Sequence, residues 1–378
     1  MKVLLVNDTT GWYHFGCTGT SLALKKELEN LGCELSSFSI LDCNALDYLP
    51  GSVEEFFDKE ILAKFIAHNH ALCALIQNND VIVVNGEGTL HGAKRGPLSL
   101  LYIVYIAKSV FAKNVQIINH SVYPNDSVSA EDNEILSLYK NIYKTVDFVA
   151  IREPISVSIM RSIGLDVHES FDCLPLYIKH YYQPNLCNKQ NDLILLAGSA
   201  AWFNLNIFTP DAQAGDSLKN GLMQVIKALQ PKMAEGYRVR FLYSDLEHPA
   251  KDDQEMLSFL KGNIGPSFSV IHARSIDSWL RAIEEADLLI SGRFHHSIAA
   301  ACLGTKFIAL NSNTPKMTGL MKSMGHPKPL IYSDLKLENK LKRVIPRSAI
   351  CTNSPHMLDN LCKKAQNNFT MLRKLSLY

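Results

Sequence analysis

Arg293 and His295 stand two residues apart in SGRFHHSIAAACLG (residues 291–304), directly after the apolar run 288–290. A guanidinium offers a planar fork for phosphate or carboxylate. An imidazole gives or takes a proton near neutral pH. Gly292 and Ser297 flank the pair, and a helix opening near Ser297 adds amide donors for an anion. The chemistry such a set offers is anion binding coupled to proton transfer. The packing alternative puts Arg293 in an internal salt bridge and one imidazole in the core. His296 reads as the structural member of the histidine pair, because adjacent side chains point different ways.

A second set follows the run VIVV at residues 81–84. The loop NGEGTLHG (residues 85–92) brings Glu87 and His91 to one turn as an acid/base pair. Gly86 and Gly88 permit close backbone approach to a ligand, Asn85 and Thr89 add polar contacts, and Arg95 lies just beyond. The alternative is a capping turn in which Glu87 bonds a helix N-terminus. The opening loop NDTTGWYHFGCTG (residues 7–19), Gly16 included, suits an anion at a helix start or is a turn that needs glycine. Arg152 in VAIREP (residues 149–154) and Lys316 in NSNTPKMTGLMKSMG (residues 311–325) are further cations at strand ends. Arg152 could equally pair with Glu153, and Lys316 could be solvated. Trp12, Tyr13, Trp202 and Phe203 fall in loops, where they stack on a sugar face or simply pack.

Short β-rich runs alternate with longer amphipathic ones, and this rhythm positions the loops. Strands are expected at residues 2–6, 34–40, 81–85, 115–119 and 148–151, with helices near 21–31, 53–76, 98–111, 132–143 and 155–163. A polar, aromatic segment at 179–191 reads as a linker. The rhythm resumes with strands at 193–197, 238–243, 269–272, 288–291 and 307–310, and helices near 217–229, 252–260, 276–285, 297–303 and 314–324. A last helix is expected near 355–372. The pattern predicts an α/β chain of two doubly wound, Rossmann-like domains facing across a cleft. Residues 1–185 would form the acceptor side, 186–350 the donor side, and 351–378 a bracing helix. In such sheets ligands bind beyond the carboxyl ends of the strands, where all the candidate residues fall.

Composition sets bounds. The chain has 378 residues, enough for two domains, with 47% hydrophobic and 20% charged residues. A net charge of +1 without a basic stripe argues against nucleic acid. The first apolar run, residues 3–6, is too short for a signal peptide, and no stretch approaches the ~18 apolar residues of a membrane span. Nine cysteines, an odd number without a CxxC, fit reduced thiols in a cytoplasmic protein. No loop offers paired carboxylates with ligand spacing, although Asp245 and Glu247 lie near a strand end, so neither a metal nor a resident cofactor is expected.

At these residues the chain resembles the polysaccharide pyruvyl transferase family, over about residues 3–325. The resemblance rests on the order of the opening loop, the turn 85–92, the REP segment with Gly164, and GRFHHSIAAACLGTKFIAL followed by NTPKMTGLMKSMG. Arg293, His295, Gly304, Pro315 and Lys316 fit the family pattern. It implies a GT-B-like fold and transfer of pyruvate from phosphoenolpyruvate to sugar hydroxyls of a cell-surface polysaccharide or its precursor. It also implies His295 as the acid and basic residues on the donor: Arg293, with Arg152 or Lys316 beside it. Glu87 or His91 would then serve as base for the acceptor. Many members have a plainer run of glycines in the second loop, which Asn85, Glu87, Thr89 and His91 interrupt here. The donor therefore stays open between phosphoenolpyruvate and a nucleotide-activated sugar, the latter on a GT-B glycosyltransferase. A non-catalytic sugar-binding protein is a third reading. The expected partner is a saccharide, free or lipid-linked; a lipid-linked one would bring the protein to the inner membrane face as a peripheral enzyme. The sequence leaves the oligomeric state open.

Overall fold

The computed structural model describes residues 1–12, 14–124, 134–185, 188–199, 214–243, 251–265, 268–346 and 356–376. Tyr13, Trp202, Phe203, Asp245 and Glu247 lie outside these residues. The chain forms two compact units. Unit 1 comprises Met1–Trp12, Thr20–Cys173 and Lys363–Tyr378; unit 2 comprises Tyr13–Gly19 and Leu174–Cys362.

Unit 1 is built on a parallel sheet of β1 (Lys2–Asp8), β2 (Glu34–Ser39), β3 (Val81–Glu87), β4 (Asn114–His120), β5 (Phe148–Ile151) and β6 (His168–Glu169), in the order β2-β1-β3-β4-β5-β6. All seven residues of β3 are buried, as expected of an apolar strand covered on both faces. The helices are Phe15–Asn30, whose first turn as far as Gly19 belongs to unit 2, then Ile40–Ala45, Lys59–His68, His70–Asn78, Arg95–Ser109, Glu134–Tyr143 and Pro154–Ser162. Their starts are chemically marked. Ser39 and Asp42 form a capping box, Asp58 caps with its carboxylate, and Glu153 caps a helix that opens on Pro154. The strand order reverses between β1 and β3, so the loops after these two strands flank the switch point where doubly wound sheets bind ligands.

Unit 2 repeats the design with β7 (Gln190–Ser199), β8 (Arg238–Tyr243), β9 (Ser269–His272), β10 (Ala286–Gly292) and β11 (Lys306–Ala309), ordered β11-β10-β7-β8-β9 and all parallel. Its helices are Leu174–Tyr181, Ala214–Ala234, Lys251–Ile264, Ile276–Glu285, Phe294–Leu303, Lys316–Ser323, Leu337–Val344 and Met357–Ala365. Here the switch point lies between β7 and β10. Each unit has its own hydrophobic cluster. The chain is thus α/β, with two doubly wound parallel sheets. Among the described residues no helix is long and apolar enough to cross a membrane.

The elements depart from the sequence expectation where polar or small residues hide the apolar period. The first helix begins at Phe15 rather than near residue 21, so Gly16 sits in a helical turn and not in a loop. The stretch 53–76 divides into a 3-10 turn, Glu54–Phe57, and two helices that meet at Asn69. Lys179 to Tyr181, expected in a linker, continue a helix, and β7 already begins at Gln190. The helix Leu337–Val344 was not expected, because four of its eight residues, LENKLKRV, are charged.

The C-terminal segment is part of unit 1, and one of its side chains is bound at the end of β4. After the helix Met357–Ala365 comes a 3-10 turn, Gln366–Phe369, which buries Asn368. Its Oδ1 accepts from the Asn119 amide (2.8 Å), and its Nδ2 donates to the carbonyls of Phe171 (2.8 Å) and Ala365 (2.9 Å). Asn368→Ala would leave these buried groups unmatched. It is expected to destabilise the protein by roughly 2–4 kcal/mol, read as a lowered urea midpoint at unchanged m. An unchanged midpoint would mean that the segment does not anchor the end of β4.

Candidate functional site

In unit 2 the site is built on the end of β10. Gly292 closes the strand, where an added Cβ would strike Ser199 and the Asn311 carbonyl; its role in the structure is this close approach. Arg293 follows as the residue before the helix Phe294–Leu303. Its Nη2 donates to Asp253 Oδ1 at 2.6 Å, and its amide donates to Ser291 Oγ at 3.0 Å. Gly198, at the end of β7, leaves room for that ion pair. Ser297 bonds back to the Arg293 carbonyl through both amide (3.3 Å) and hydroxyl (3.4 Å), which fixes the first helical turn.

The two adjacent imidazoles separate as helix geometry requires. His296 is buried and accepts from the Trp279 indole N–H at 3.2 Å, with the rings edge to face. Burial, with the charge of Arg293, holds its imidazole well below the ordinary range, so it is a neutral core residue. His295 is half-buried and lies against the first turn of the helix Phe15–Asn30. A Cβ on Gly16 would collide with the His295 Cβ, and Cys17 Sγ lies 3.9 Å from His295 Nδ1. Gly16, expected as a loop ligand, instead permits this contact. His14 completes the group. Burial, followed by the charges of Arg293, His296, His295 and Lys316, holds its imidazole well below the ordinary range. Arg293, His296, His295 and Lys316 thus all lie near enough to act on the His14 imidazole. Lys316 takes part from the start of the helix Lys316–Ser323. This collection of positive and proton-carrying groups at a switch point suits an anion.

In unit 1 the site lies at the ends of β3 and β5. Glu87 closes β3 with φ +47, a backbone conformation that non-glycine residues seldom adopt. Its Oε2 accepts from Arg152 Nη1 (3.0 Å), which also donates to Asp172 Oδ2 (2.6 Å), while Arg152 Nε donates to Ser121 Oγ (3.1 Å). Arg152 is 1% exposed. Expected on the donor, it is engaged instead by two carboxylates of unit 1. Asn85 is fully buried: its carbonyl accepts from Asn7 Nδ2 (2.6 Å) and its Oδ1 accepts from Asn119 Nδ2 (2.8 Å). At Gly86 a Cβ would press on the ring of His120. His120 is itself a core residue, donating through Nδ1 to the Ala150 carbonyl (3.1 Å) and accepting from the Tyr143 hydroxyl (3.0 Å). Burial, then Arg152, pushes it down to about 3.

The remaining loop residues are less enclosed. Gly88 and Thr89 are half-buried, and His91 Nδ1 donates to the Gly88 carbonyl at 2.9 Å. Arg95 donates to the carbonyls of Asn44 (3.2 Å) and Leu46 (2.5 Å), a structural use. Trp12 is half-buried on the turn after β1. Sequence reasoning missed His14, Asp253 and Asp172. Asp253 and Asp172 act on arginines 40 and 20 residues away, a spacing that no local pattern marks. His14 was legible as a histidine in a glycine-containing loop before a helix.

A family model described as polysaccharide pyruvyl transferase matches residues 20–314. No curated protein is a significant sequence match. Solved structures of similar fold include the UDP-GlcNAc 2-epimerase of Neisseria meningitidis bound to UDP-GlcNAc, with TM-score 0.61, 12% identity and all of both chains covered. The S. aureus MnaA–UDP structure aligns with TM-score 0.60 and 12% identity, over 100% of this chain and 96% of that one. The UDP-GlcNAc 2-epimerase of Methanocaldococcus jannaschii with UDP-GlcNAc and UDP aligns with TM-score 0.59 and 12% identity over both whole chains. At these identities the likeness is one of fold.

Two predictions follow from the buried charges. Arg152→Met leaves Glu87 and Asp172 without their cation, and should cost about 3–5 kcal/mol. The loss should shrink in acid, where the carboxylates take up protons; urea unfolding of both proteins at two pH values tests this. The three imidazoles held low in the folded state, His14, His120 and His296, bind protons more readily when unfolded. Their stabilisation is complete above the unfolded value of ~6.5. It is lost below that at up to ~1.4 kcal/mol per pH unit for each imidazole, for His120 down to its folded value of about 3. Unfolding between pH 6.5 and 5 should therefore take up protons, approaching three; an unfolding free energy independent of pH there would contradict it.

Proposed function

The chain belongs to the polysaccharide pyruvyl transferase family, and on that premise we propose that it moves pyruvate from phosphoenolpyruvate onto hydroxyls of a saccharide. The observation that carries this reading is the end of β10, where Gly292 closes the strand, Asp253 holds the Arg293 guanidinium, and His295 emerges beside Cys17. Phosphoenolpyruvate presents a phosphate and a carboxylate on one small carbon frame. Arg293 and Lys316 would neutralise them through charge-assisted hydrogen bonds.

His295 is assigned the proton that starts the reaction. It would pass from the imidazole to the methylene carbon, the double-bond electrons forming the new C–H bond and leaving positive charge at the central carbon. A sugar hydroxyl oxygen bonds to that carbon and gives up its proton. Departure of inorganic phosphate with the C–O bonding pair then opens the carbon to a second hydroxyl, which closes the ketal and loses its proton in turn. The acceptor side is read onto unit 1, where Glu87 is the candidate base and Arg152 orients its carboxylate. His91, tied through Nδ1 to Gly88, is the second candidate.

Thermal melting with phosphoenolpyruvate and with a panel of nucleotide-activated sugars tests the donor. Phosphoenolpyruvate should raise the melting temperature by mass action. His295→Gln should keep that shift while cutting phosphate release in the presence of saccharide acceptors by about 10²–10⁴-fold. A shift with a nucleotide sugar and none with phosphoenolpyruvate would transfer the assignment to glycosyl transfer.

A further inference from the structure

Residues 328–344 carry five cations against two carboxylates: Lys328, Lys336, Lys340, Lys342 and Arg343 against Asp334 and Glu338. Lys340 pairs with Asp334, and Lys342 with Glu338. Lys328, Lys336 and Arg343 make no ion pair among the described residues. The helix Leu337–Val344 buries Leu337 and Leu341 in the core of unit 2. Lys336, Lys340 and Arg343, spaced i, i+4 and i+7, therefore form one exposed stripe along it.

The turn that leads into this helix is well held and carries its apolar side chains outward. The Asp334 amide donates to the Ile331 carbonyl (3.1 Å), and the Lys336 amide to Asp334 Oδ1 (2.8 Å). On this turn Leu335 is 93% exposed and Ile331 43%; among the described residues no large hydrophobic side chain is more exposed than Leu335. A pocket of about 280 Å³ lies on the same part of unit 2, lined by Ile308, Met321, Leu330 and Val344 together with Lys328 and Arg343. Unpaired cations thus border both apolar protrusions and an apolar recess.

We propose that this face of unit 2 is a docking surface for an anionic lipid bilayer. Leu335 and Ile331 enter the interfacial layer, while Lys328, Lys336 and Arg343 meet lipid phosphates. Charge complementarity selects this occupant. The cores of protein interfaces are depleted of lysine, whereas a stripe of lysine and arginine beside protruding apolar residues is the arrangement that binds anionic bilayers. This inference is independent of the identity of the donor, and its test requires no turnover.

Co-sedimentation of the full chain with vesicles decides it. Vesicles of phosphatidylcholine mixed with phosphatidylglycerol should bind the protein and release it in high salt, and vesicles of phosphatidylcholine alone should not bind it. Lys328→Glu with Arg343→Glu should lower partitioning by about fivefold or more for each site. Leu335→Ser should weaken binding at an unchanged melting temperature, since that side chain packs on almost nothing. Equal binding to both vesicle types, no binding to either, or variants that bind as well as the parent would each overturn the proposal. So would a concentration-dependent dimer, abolished by Leu335→Ser, that ignores vesicles; the face would then meet a second copy of the chain.

Discussion

A guanidinium held against buried carboxylate organises the strand ends of both sheets, and the balance of charge around it differs between them. In unit 1 one Arg152 answers two carboxylates, Glu87 and Asp172. The local sum is negative, and the buried cation holds both acids in place at a strand end. In unit 2 Arg293 answers the single carboxylate of Asp253, and the charge of Lys316 also reaches His14. Removing either arginine would strand a buried carboxylate at a cost of several kcal/mol, so each pair is structural as well as electrostatic. The sign of what remains differs: negative in unit 1, and positive in unit 2 once Lys316 is counted.

The geometry at the end of β3 is held by strain that the surrounding hydrogen bonds over-determine. Asn7, Glu87 and Asn119 lie at or one residue before the ends of the neighbouring strands β1, β3 and β4, and all three have positive φ, at 62, 47 and 53 degrees. Such residues cost on the order of 1–3 kcal/mol each. The cost is offset by a chain of buried amides: Asn7 bonds Asn85, Asn119 bonds Asn85, and Asn368 accepts from the Asn119 backbone. The Ser121 amide donates to the Glu87 carbonyl at 2.9 Å, which fixes the peptide unit on the far side of Glu87 as well. Glu87 is thus positioned by backbone conformation, while Gly86 beside it answers a different need, the close approach of His120.

Most of the sheet architecture was legible in the sequence because parallel strands buried on both faces leave uninterrupted apolar runs, as in Val81 to Val84. The strand-end loops followed from the same runs, and with them Glu87, Arg293 and His295. The partners of those residues were not legible. Asp253 and Asp172 come from other elements, and their pairing depends on where the sheet order brings strand ends, which composition and period do not encode. Arg152 was read as a donor ligand because it stands at a strand end, with a pairing to Glu153 as the alternative. In the structure Glu153 caps its own helix and leaves the guanidinium to Glu87. The first helix was read late because FGCTGTS is small and polar; its first turn is shaped by contact with His295, through Gly16, rather than by an apolar stripe.

Two neighbouring histidines end with opposite roles because a helix turns about 100° per residue. His296 faces the core, where the Trp279 indole fixes its ring and burial keeps it neutral. Once that side is pinned, His295 has to emerge on an adjoining face, toward Gly16 and Cys17. The small residues that follow, Ala299, Ala300 and Ala301, are buried and let this helix sit close to its neighbours, which opposes rotation about its axis. The aim of the His295 ring is therefore set by the core packing behind it, through the hydrogen bond made by the histidine beside it.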